Sequence, residues 1–554
     1  MKTTYITIFS FCVLMLSQAQ AQLVEYLNQN NVNVGIGVGS NLFTMFPDSN
    51  IVTNQDTSVK WRLYENPKGT GISPVFTAAL WMTALDDNGS IVCSAERYRQ
   101  YEVVFRDGPV ADDYTAAYDN YYHRVFKVKK QTILNHIDAG PPYIPTAIDS
   151  SIRFWPGKGN AFVQNSYGVD ISRNLAPFAD LNSNGIYEPN QGEYPAICGD
   201  EAIFFVFNDR RKVNAERIGV EVRGMAEVFE NLGSSNQSYG KRALNNTVFV
   251  SYEIQNMSGR DYNKFRLGMF EDIDLGCYTN DRVGCDSILS LAFGYNNKSP
   301  DPDMQGLKGY GNTSAAQGFK FLNQQMRTFS YFTNGASFNQ SDPGNCQQFN
   351  NYLSGLWADG VYFTYGGTGH NSGGGATSYI FSGNPNNPND WSELQPSVAA
   401  QLQAGDRRMA GGSDSMNFAD GETKYFDFAF FSSLDSTATN LSIVDTLKRD
   451  AGIIQSFYNS QIQPCKNQIA LSVNKVSENV ALQLFPNPAK NVVSVRSQSV
   501  IANISISDLQ GRVHLSLSPK SGEAQINVSS LAKGMYVMRA DFGSNTTVKK
   551  LIIE

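Results

Sequence analysis

Thr247-Val248-Phe249-Val250-Ser251-Tyr252-Glu253-Ile254 sets Val248, Val250, Tyr252 and Ile254 two residues apart. Period two marks a half-buried strand, because successive side chains leave opposite faces of a sheet. Upstream, Ile203-Phe204-Phe205-Val206-Phe207 is a continuous apolar run stopped by Asn208-Asp209. Residues 218–229 alternate through Val220, Val222 and Met225, residues 265–273 give a further strand, and 425–431 repeats the pattern. Short strands separated by turn residues, with little helical periodicity, point to a mainly β fold of antiparallel sandwiches. One helix is expected at 443–459. There Val444, Leu447, Ala451, Ile454 and Tyr458 form one apolar face, and Ser442-Ile443-Val444-Asp445 gives a capping-box-like start.

Composition fits exported β structure. Of 554 residues only 17% are charged, 12% are aromatic and 47 are glycine. A net charge of -7 and a pI near 5.4 give no support for nucleic-acid binding, which wants a clustered basic face. Lys2, the apolar stretch 5–16 and Ala19-Gln20-Ala21 have the order of a signal peptide, so residues 1–21 are expected to be removed and the mature chain to begin at Gln22. No later stretch reaches the roughly 18 apolar residues a membrane helix needs. The expected organisation is a signal peptide (1–21), an N-terminal β-rich region (22–175), a connector (176–200) and a sandwich body (201–465). A linker (466–483) and a small terminal domain (484–554) follow.

The sharpest local signal is Asp180-x-Asn182-x-Asn184-Gly185, the first half of a calcium loop. Oxygens at positions one, three and five converge because Gly at six permits the turn. The Ile186 carbonyl and Glu188 follow at seven and nine. Position twelve is Gln191 where an EF-hand has Glu, and Pro189 argues against an exit helix. The expected site is therefore a Ca²⁺ loop between strands, closed by Glu193; the plain alternative is a run of Asx turns.

A second acidic group is Glu271, Asp272, Asp274, Asp281 and Asp286. It reads as turn acids at a sandwich end, as another calcium site, or as the carboxylate pair of a carbohydrate-active hydrolase. Asp406-Arg407-Arg408 reads as a local ion pair or an anion site. His370 in the Gly-rich loop 366–375 reads as a loop histidine, or as a ligand or base. Trp357, Tyr362, Tyr365 and Trp391 either pack in the core or stack on sugar rings. H-E-x-x-H, G-x-S-x-G and P-loop motifs do not occur, so no catalytic residue is assigned. Six cysteines remain beyond Cys12: Cys93, Cys198, Cys277, Cys285, Cys346 and Cys465. Fifteen pairings are possible. Cys277–Cys285, closing residues 278–284 into a short loop, is the expected disulfide, with free buried cysteines as the alternative.

The last seventy residues carry Leu484-Phe485-Pro486-Asn487-Pro488-Ala489, Ile504-Ser505-Ile506-Ser507-Asp508-Leu509-Gln510-Gly511-Arg512, Gly534-Met535-Tyr536-Val537 and a terminal Lys549-Lys550-Leu551-Ile552-Ile553-Glu554. In this order they closely resemble the type A C-terminal sorting domain of the Bacteroidetes type IX secretion system. The resemblance implies a small Ig-like sandwich. It also implies recognition of Pro486, Asn487, Pro488, Gly511, Gly534 and Tyr536 by the export machinery and a surface sortase, with delivery to the outer cell surface or the medium. In the body, Ala176-Pro177-Phe178-Ala179-Asp180, Gly192-Glu193-Tyr194-Pro195, Gly199-Asp200-Glu201, Asp272-Ile273-Asp274-Leu275-Gly276-Cys277 and Gly405-Asp406-Arg407-Arg408 look like a group of large exported Bacteroidetes proteins without an assigned activity. The expected role is structural, adhesive or ligand-binding, toward a glycan or a surface protein.

Overall fold

The computed structural model describes residues 23–44, 62–98, 104–211, 217–230, 239–333, 340–473, 482–508, 513–542 and 546–554. The expected signal peptide lies outside them. The chain divides near Ile469–Ala470 into a body and a smaller C-terminal unit.

The alternating stretch around Tyr252 is the strand Thr247–Asn256, at the centre of a nine-stranded antiparallel sheet. Val248, Val250, Tyr252 and Ile254 are all buried, as their spacing requires. The strand lies between Thr423–Asp435 and Val220–Val228. The sheet continues outward through Ser314–Phe321, Leu291–Asn296 and Asp281–Asp286 on one side and Glu201–Asn208 on the other. A ten-stranded sheet faces it, running through Val75–Leu85, Tyr262–Ile273 and Arg407–Gly412 to an edge at Thr328–Thr333. The two share one apolar core; Phe43 of one, for example, meets Phe430 of the other edge-on at 4.9 Å. Residues 22–175 and 201–465, set apart by sequence, share both sheets. Val75–Leu85 pairs with Tyr262–Ile273, and Phe126–Lys129 with Glu201–Asn208. Register between strands, not nearness in sequence, decides the partner.

The run 203–207 is apolar without interruption because both its faces are covered. Ile203, Phe205 and Phe207 enter the inter-sheet core. Ala202, Phe204 and Val206 enter a second cluster with Tyr121, Trp155 and Tyr187. That cluster adds helices to the N-terminal region expected to be β-rich. The helices Ala116–Tyr122, Lys130–Ala139, Ser150–Arg153 and Ala161–Tyr167 lie there. They are short, and three start on side-chain caps: Thr115 accepts from the Tyr118 N–H, Asp149 from the Ser151 N–H and Asn160 from the Phe162 N–H. Caps and tertiary packing, not a long apolar period, make such helices.

The expected helix at 443–459 is present as Ser442–Phe457. Ile443, Val444, Leu447, Ala451 and Ile454 are buried against the nine-stranded sheet, a gross gain of about 10 kcal/mol before entropy. Its capping box begins three residues earlier than expected. Thr439 Oγ1 accepts from the Ser442 N–H at 3.0 Å, and Ser442 Oγ accepts from the Thr439 N–H at 2.9 Å. The helix passes through a wide turn at Tyr458–Ile462 into a further helix, Gln463–Val473. Pro464 has no N–H for the regular ladder, which accounts for the wide turn just before it. Residues 466–473 are therefore helix and not the expected linker; 474–481 lie outside the described residues.

The cysteines also require correction. The disulfides are Cys93–Cys346 and Cys198–Cys465, whereas Cys277 and Cys285 are free and buried. Cys277 precedes the turn Tyr278–Asn280, and the strand Asp281–Asp286 then carries Cys285 four residues further along an extended chain. At about 3.3 Å per residue that is some 13 Å, beyond the span of a disulfide. Cys277 Sγ lies 3.3 Å from Thr279 Oγ1, and Cys285 Sγ donates to the Ile380 carbonyl at 3.4 Å.

The C-terminal unit is a small sandwich. Leu482–Phe485, Val492–Ile501 and Ser521–Asn527 form one sheet; Val513–Leu517, Asn503–Ser507, Gly534–Asp541 and Thr546–Ile553 form the other. Val493, Val495, Ile504, Ile506, Met538 and Leu551 fill its core.

Candidate functional site

In the 180–193 loop, Gly185 at position six has φ +75°, the left-handed region a calcium loop needs at that point. Asn182 Oδ1 accepts from the Asn184 N–H at 3.0 Å. Glu193 is wholly buried. Its carboxylate accepts from the Leu181 N–H at 3.0 Å and from the Glu188 N–H at 2.8 Å. The acid that sequence placed two residues late therefore turns back onto the start of the loop. Gln191 is instead taken up in the turn Pro189–Gln191.

The second acidic group is split by strand geometry. Adjacent residues of Tyr262–Ile273 face opposite ways, so Glu271 and Asp272 diverge. Glu271 is wholly buried between the sheets, and burial pushes its carboxyl up to about 8. Asp272 turns to the outer face, where register sets it opposite Arg408. One rung further, Asp274 and Asp406 join it, with carboxylate oxygens of all three within 4.8 Å of one another. Arginines occupy this group. Arg408 lies 3.5 Å from Asp272 and 3.4 Å from Asp406, and Arg62 lies 2.5 Å from Asp274. The Tyr98 hydroxyl donates to Asp272 and accepts from Arg408 Nε at 2.6 Å. Burial raises Asp272 well above the carboxylate range and Asp274 to about 7, with Arg408 and Arg62 respectively acting against it. Asp281 is buried and accepts from the Leu275 N–H at 3.2 Å, and Asp286 pairs with Lys448 at 3.1 Å. Sequence reading missed Tyr98 and Arg62; each is brought in by a strand or turn distant along the chain, and no local motif marks it.

Glu271 gives a direct test. Its proton leaves the unfolded chain near its ordinary value of 4.5 but stays on the folded protein up to about 8. Stability therefore falls as pH rises through that window, because the folded state then binds more protons. Glu271→Gln removes this contribution and should stabilise the protein at pH 8 by a few kcal/mol relative to pH 5. Melting curves across that range check it; an unchanged slope would refute the assignment.

The loop 355–380 folds over Trp357 and Trp391, which are buried. Trp357 Nε1 donates to the Gly369 carbonyl at 2.8 Å and Trp391 Nε1 to the Gly367 carbonyl at 3.0 Å, so two buried indoles brace the glycine-rich turn. Their neighbours Tyr362 and Tyr365 stay outside, 67% and 54% exposed, with Tyr365 resting on Trp391 at 4.6 Å. His370 Nε2 lies 2.8 Å from Asp359 Oδ2 beside them.

In the C-terminal unit, Asn487 is stapled to the last strand. Its amide donates to the Lys550 carbonyl at 2.7 Å, and its Oδ1 accepts from the Ile552 N–H at 2.8 Å. Tyr536 Oη donates to the Ala532 carbonyl at 3.0 Å. Pro486 and Pro488 flank Asn487 at the sheet's entry, Gly534 opens the strand Gly534–Asp541, and Gly511 lies outside the described residues.

A large sandwich body followed by a separate small sandwich defines a two-unit β protein. Residues 483–554 match the family model of the secretion system C-terminal sorting domain, and the tail belongs to that family. The protein is accordingly exported to the cell surface or extracellular space, and its tail implies interaction with the secretion machinery. No helix among the described residues is long and apolar enough to cross a membrane. No curated protein matches the sequence significantly.

Among solved structures, a polysaccharide lyase aligns at 6% identity and TM-score 0.17 over 62% of this chain and 36% of its own. A protein titled as a kojibiose phosphorylase, from the human microbiome, aligns at 7% and 0.24 over 49% and 23%. One titled as an aldose 1-epimerase, from Escherichia coli, aligns at 6% and 0.19 over 47% and 75%. The chain thus spans about a third and a quarter of the first two, and scores this low carry no argument about function.

Proposed function

We propose that this is a surface glycan-binding protein, calcium-stabilised at the 180–193 loop, with Tyr362 and Tyr365 as its sugar-stacking platform. The observation that carries the reading is the braced loop. Two exposed tyrosines lie on the chain that leads into a glycine turn braced by two buried tryptophans, and the polar pair Asp359 and His370 belongs to the same loop. Aromatic faces stack on the apolar faces of sugar rings, and adjacent polar groups take the hydroxyls. The alternative hydrolase reading loses support because Asp272, Asp274 and Asp286 are tied to Arg408, Arg62 and Lys448. These acids brace strand ends.

The test is a glycan array probed with residues 22–470. Binding by wild type and its loss in Tyr362→Ala/Tyr365→Ala, with an unchanged melting curve, is the expected result. Equal binding by the double variant would refute the platform. For the loop, Asp180, Asn182, Asn184, the Ile186 carbonyl, Glu188 and Glu193 would hold Ca²⁺. Few charges place its affinity at about 10⁻⁴ to 10⁻³ M. A tenfold excess over the dissociation constant then stabilises the fold by about 1.4 kcal/mol. Asp180→Ala should abolish that gain in melts with chelator and with calcium; an equal rise in the variant would leave the loop a plain connector.

A further inference from the structure

We propose that a cavity beside the helix Ala116–Tyr122 binds a small organic ligand by its ammonium group, held by the Tyr122 hydroxyl and by Asp112, Asp113 and Asp170. This site shares no residue with the 180–193 loop or the loop 355–380 and rests on neither.

The cavity has a volume of about 470 Å³, within the range of small-molecule sites. Two stretches of chain supply most of its wall. One, from 109–115, leads into the helix Ala116–Tyr122; the other, from 168–175, follows the helix Ala161–Tyr167. Arg173 ties the two together. Its guanidinium meets Glu221 through Nη1 at 2.9 Å and again through Nη2, and Nη2 also donates to the Val110 carbonyl at 2.6 Å. Glu221 is wholly buried and accepts from the Val110 N–H at 2.7 Å. These bonds set the wall without help from a ligand.

The tyrosines of the helix differ in one respect. Tyr118 Oη donates to the Pro109 carbonyl at 2.5 Å, and Tyr121 Oη to the Phe154 carbonyl at 3.0 Å. Tyr122 lines the cavity and is only 3% exposed, yet its hydroxyl has no hydrogen-bond partner among the described residues. Burial raises its proton affinity, with Arg173 acting against this and Glu221 and Asp170 adding to it, so the hydroxyl lies among these charges. Buried hydroxyls are as a rule paired. A ligand in the cavity would supply the missing partner.

Charge selects the ligand. Asp112, Asp113 and Asp170 line the cavity, are exposed, and form no ion pair among the described residues. Of the two arginines in the lining, Arg173 is neutralised by Glu221. Arg210 alone offsets the three carboxylates, and its Nη1 is taken by the Met257 carbonyl. The excess is negative, which repels carboxylates and phosphates and attracts a cation. A bare metal ion would fill little of this volume. An ammonium on an organic body suits it better, because its three N–H groups need acceptors, and the carboxylates and the Tyr122 oxygen are acceptors.

The parent for the test is full-length mature protein carrying Tyr362→Ala/Tyr365→Ala, so that sugar binding at that platform does not enter. It is titrated calorimetrically at low salt, in slightly acid buffer, with glucosamine and with putrescine, which carry ammonium groups. N-acetylglucosamine, the same ring without the charge, is the control. Saturable binding of at least one amine, with N-acetylglucosamine at least about tenfold weaker than the amine that binds, is the expected result. Tighter glucosamine marks an amino sugar as the ligand class, and tighter putrescine an aliphatic amine. Asp112→Asn/Asp113→Asn/Asp170→Asn should abolish the binding at an unchanged melting temperature, since all three side chains are exposed and unpaired. Tyr122→Phe removes only the hydroxyl and should weaken binding about fivefold. The proposal is overturned if neither amine binds at millimolar concentration or if N-acetylglucosamine binds as tightly as the amines. It is equally overturned if the triple variant or Tyr122→Phe binds as tightly as the parent.

Discussion

Cells producing the protein without residues 484–554 retain it in the periplasm, with its body folded. The tail is a unit with its own core, drawn from Val493, Ile504, Met538 and their neighbours, and none of these residues enters the body's clusters. Deleting it therefore removes the sorting domain matched over 483–554 and leaves the sandwich intact. The effect on delivery should be all-or-none, since export depends on recognition of this address. Protease accessibility on intact cells, set against fractionated periplasm, measures it. Full surface display of the truncated chain would show that the address lies elsewhere.

Removing either disulfide should cost about 5 kcal/mol by the loop-closure argument. Cys93–Cys346 and Cys198–Cys465 join residues 253 and 267 apart in sequence, so each restrains a very long segment of the unfolded chain. For a body of this size the corresponding fall in melting temperature is about 5 °C per bridge. Alanine substitution of both partners of one bridge, melted beside the parent, gives the number. Cys277→Ala and Cys285→Ala should show no bridge-type loss, and peptide mapping without reductant should recover both residues as free thiols. A Cys277–Cys285 linked peptide would contradict the structure.

Local patterns carried the sandwich. Val248, Val250, Tyr252 and Ile254 alternate because one face of their strand meets the core, and that relation survives in sequence. Run 203–207 could be recognised as buried, but not why, since its second face is covered by helices whose caps are single residues at Thr115 and Asn160. The cysteine pairs were beyond reach. Each bridge spans more than half the body, and Cys93, on the strand Ile91–Ala95, meets Cys346, at the start of the helix Cys346–Leu353, only through tertiary packing. The acidic group shows the same limit. Glu271 and Asp272 are neighbours in sequence yet lie on opposite sides of a sheet, whereas Asp272 and Arg408 are 136 positions apart and directly opposed. Spacing along the chain reports what a turn can gather. It is silent on what a ladder of strands brings together.

Cys198–Cys465 has a mechanical consequence. Cys465 sits in the last helix of the body, a few residues before the C-terminal unit begins, and Cys198 stands just ahead of the strand Glu201–Asn208. A pull applied at the carboxyl end of the body therefore meets a covalent bond before it can peel the helix Ser442–Phe457 from the sheet. The load passes through sulfur into Glu201–Asn208, where it runs along a strand paired with Val220–Val228 over eight consecutive residues. Hydrogen bonds loaded along a strand must shear together, whereas a helix end can be unwound one turn at a time. For a protein displayed outside the cell, this bridge acts as a strain relief at the point where cable meets housing.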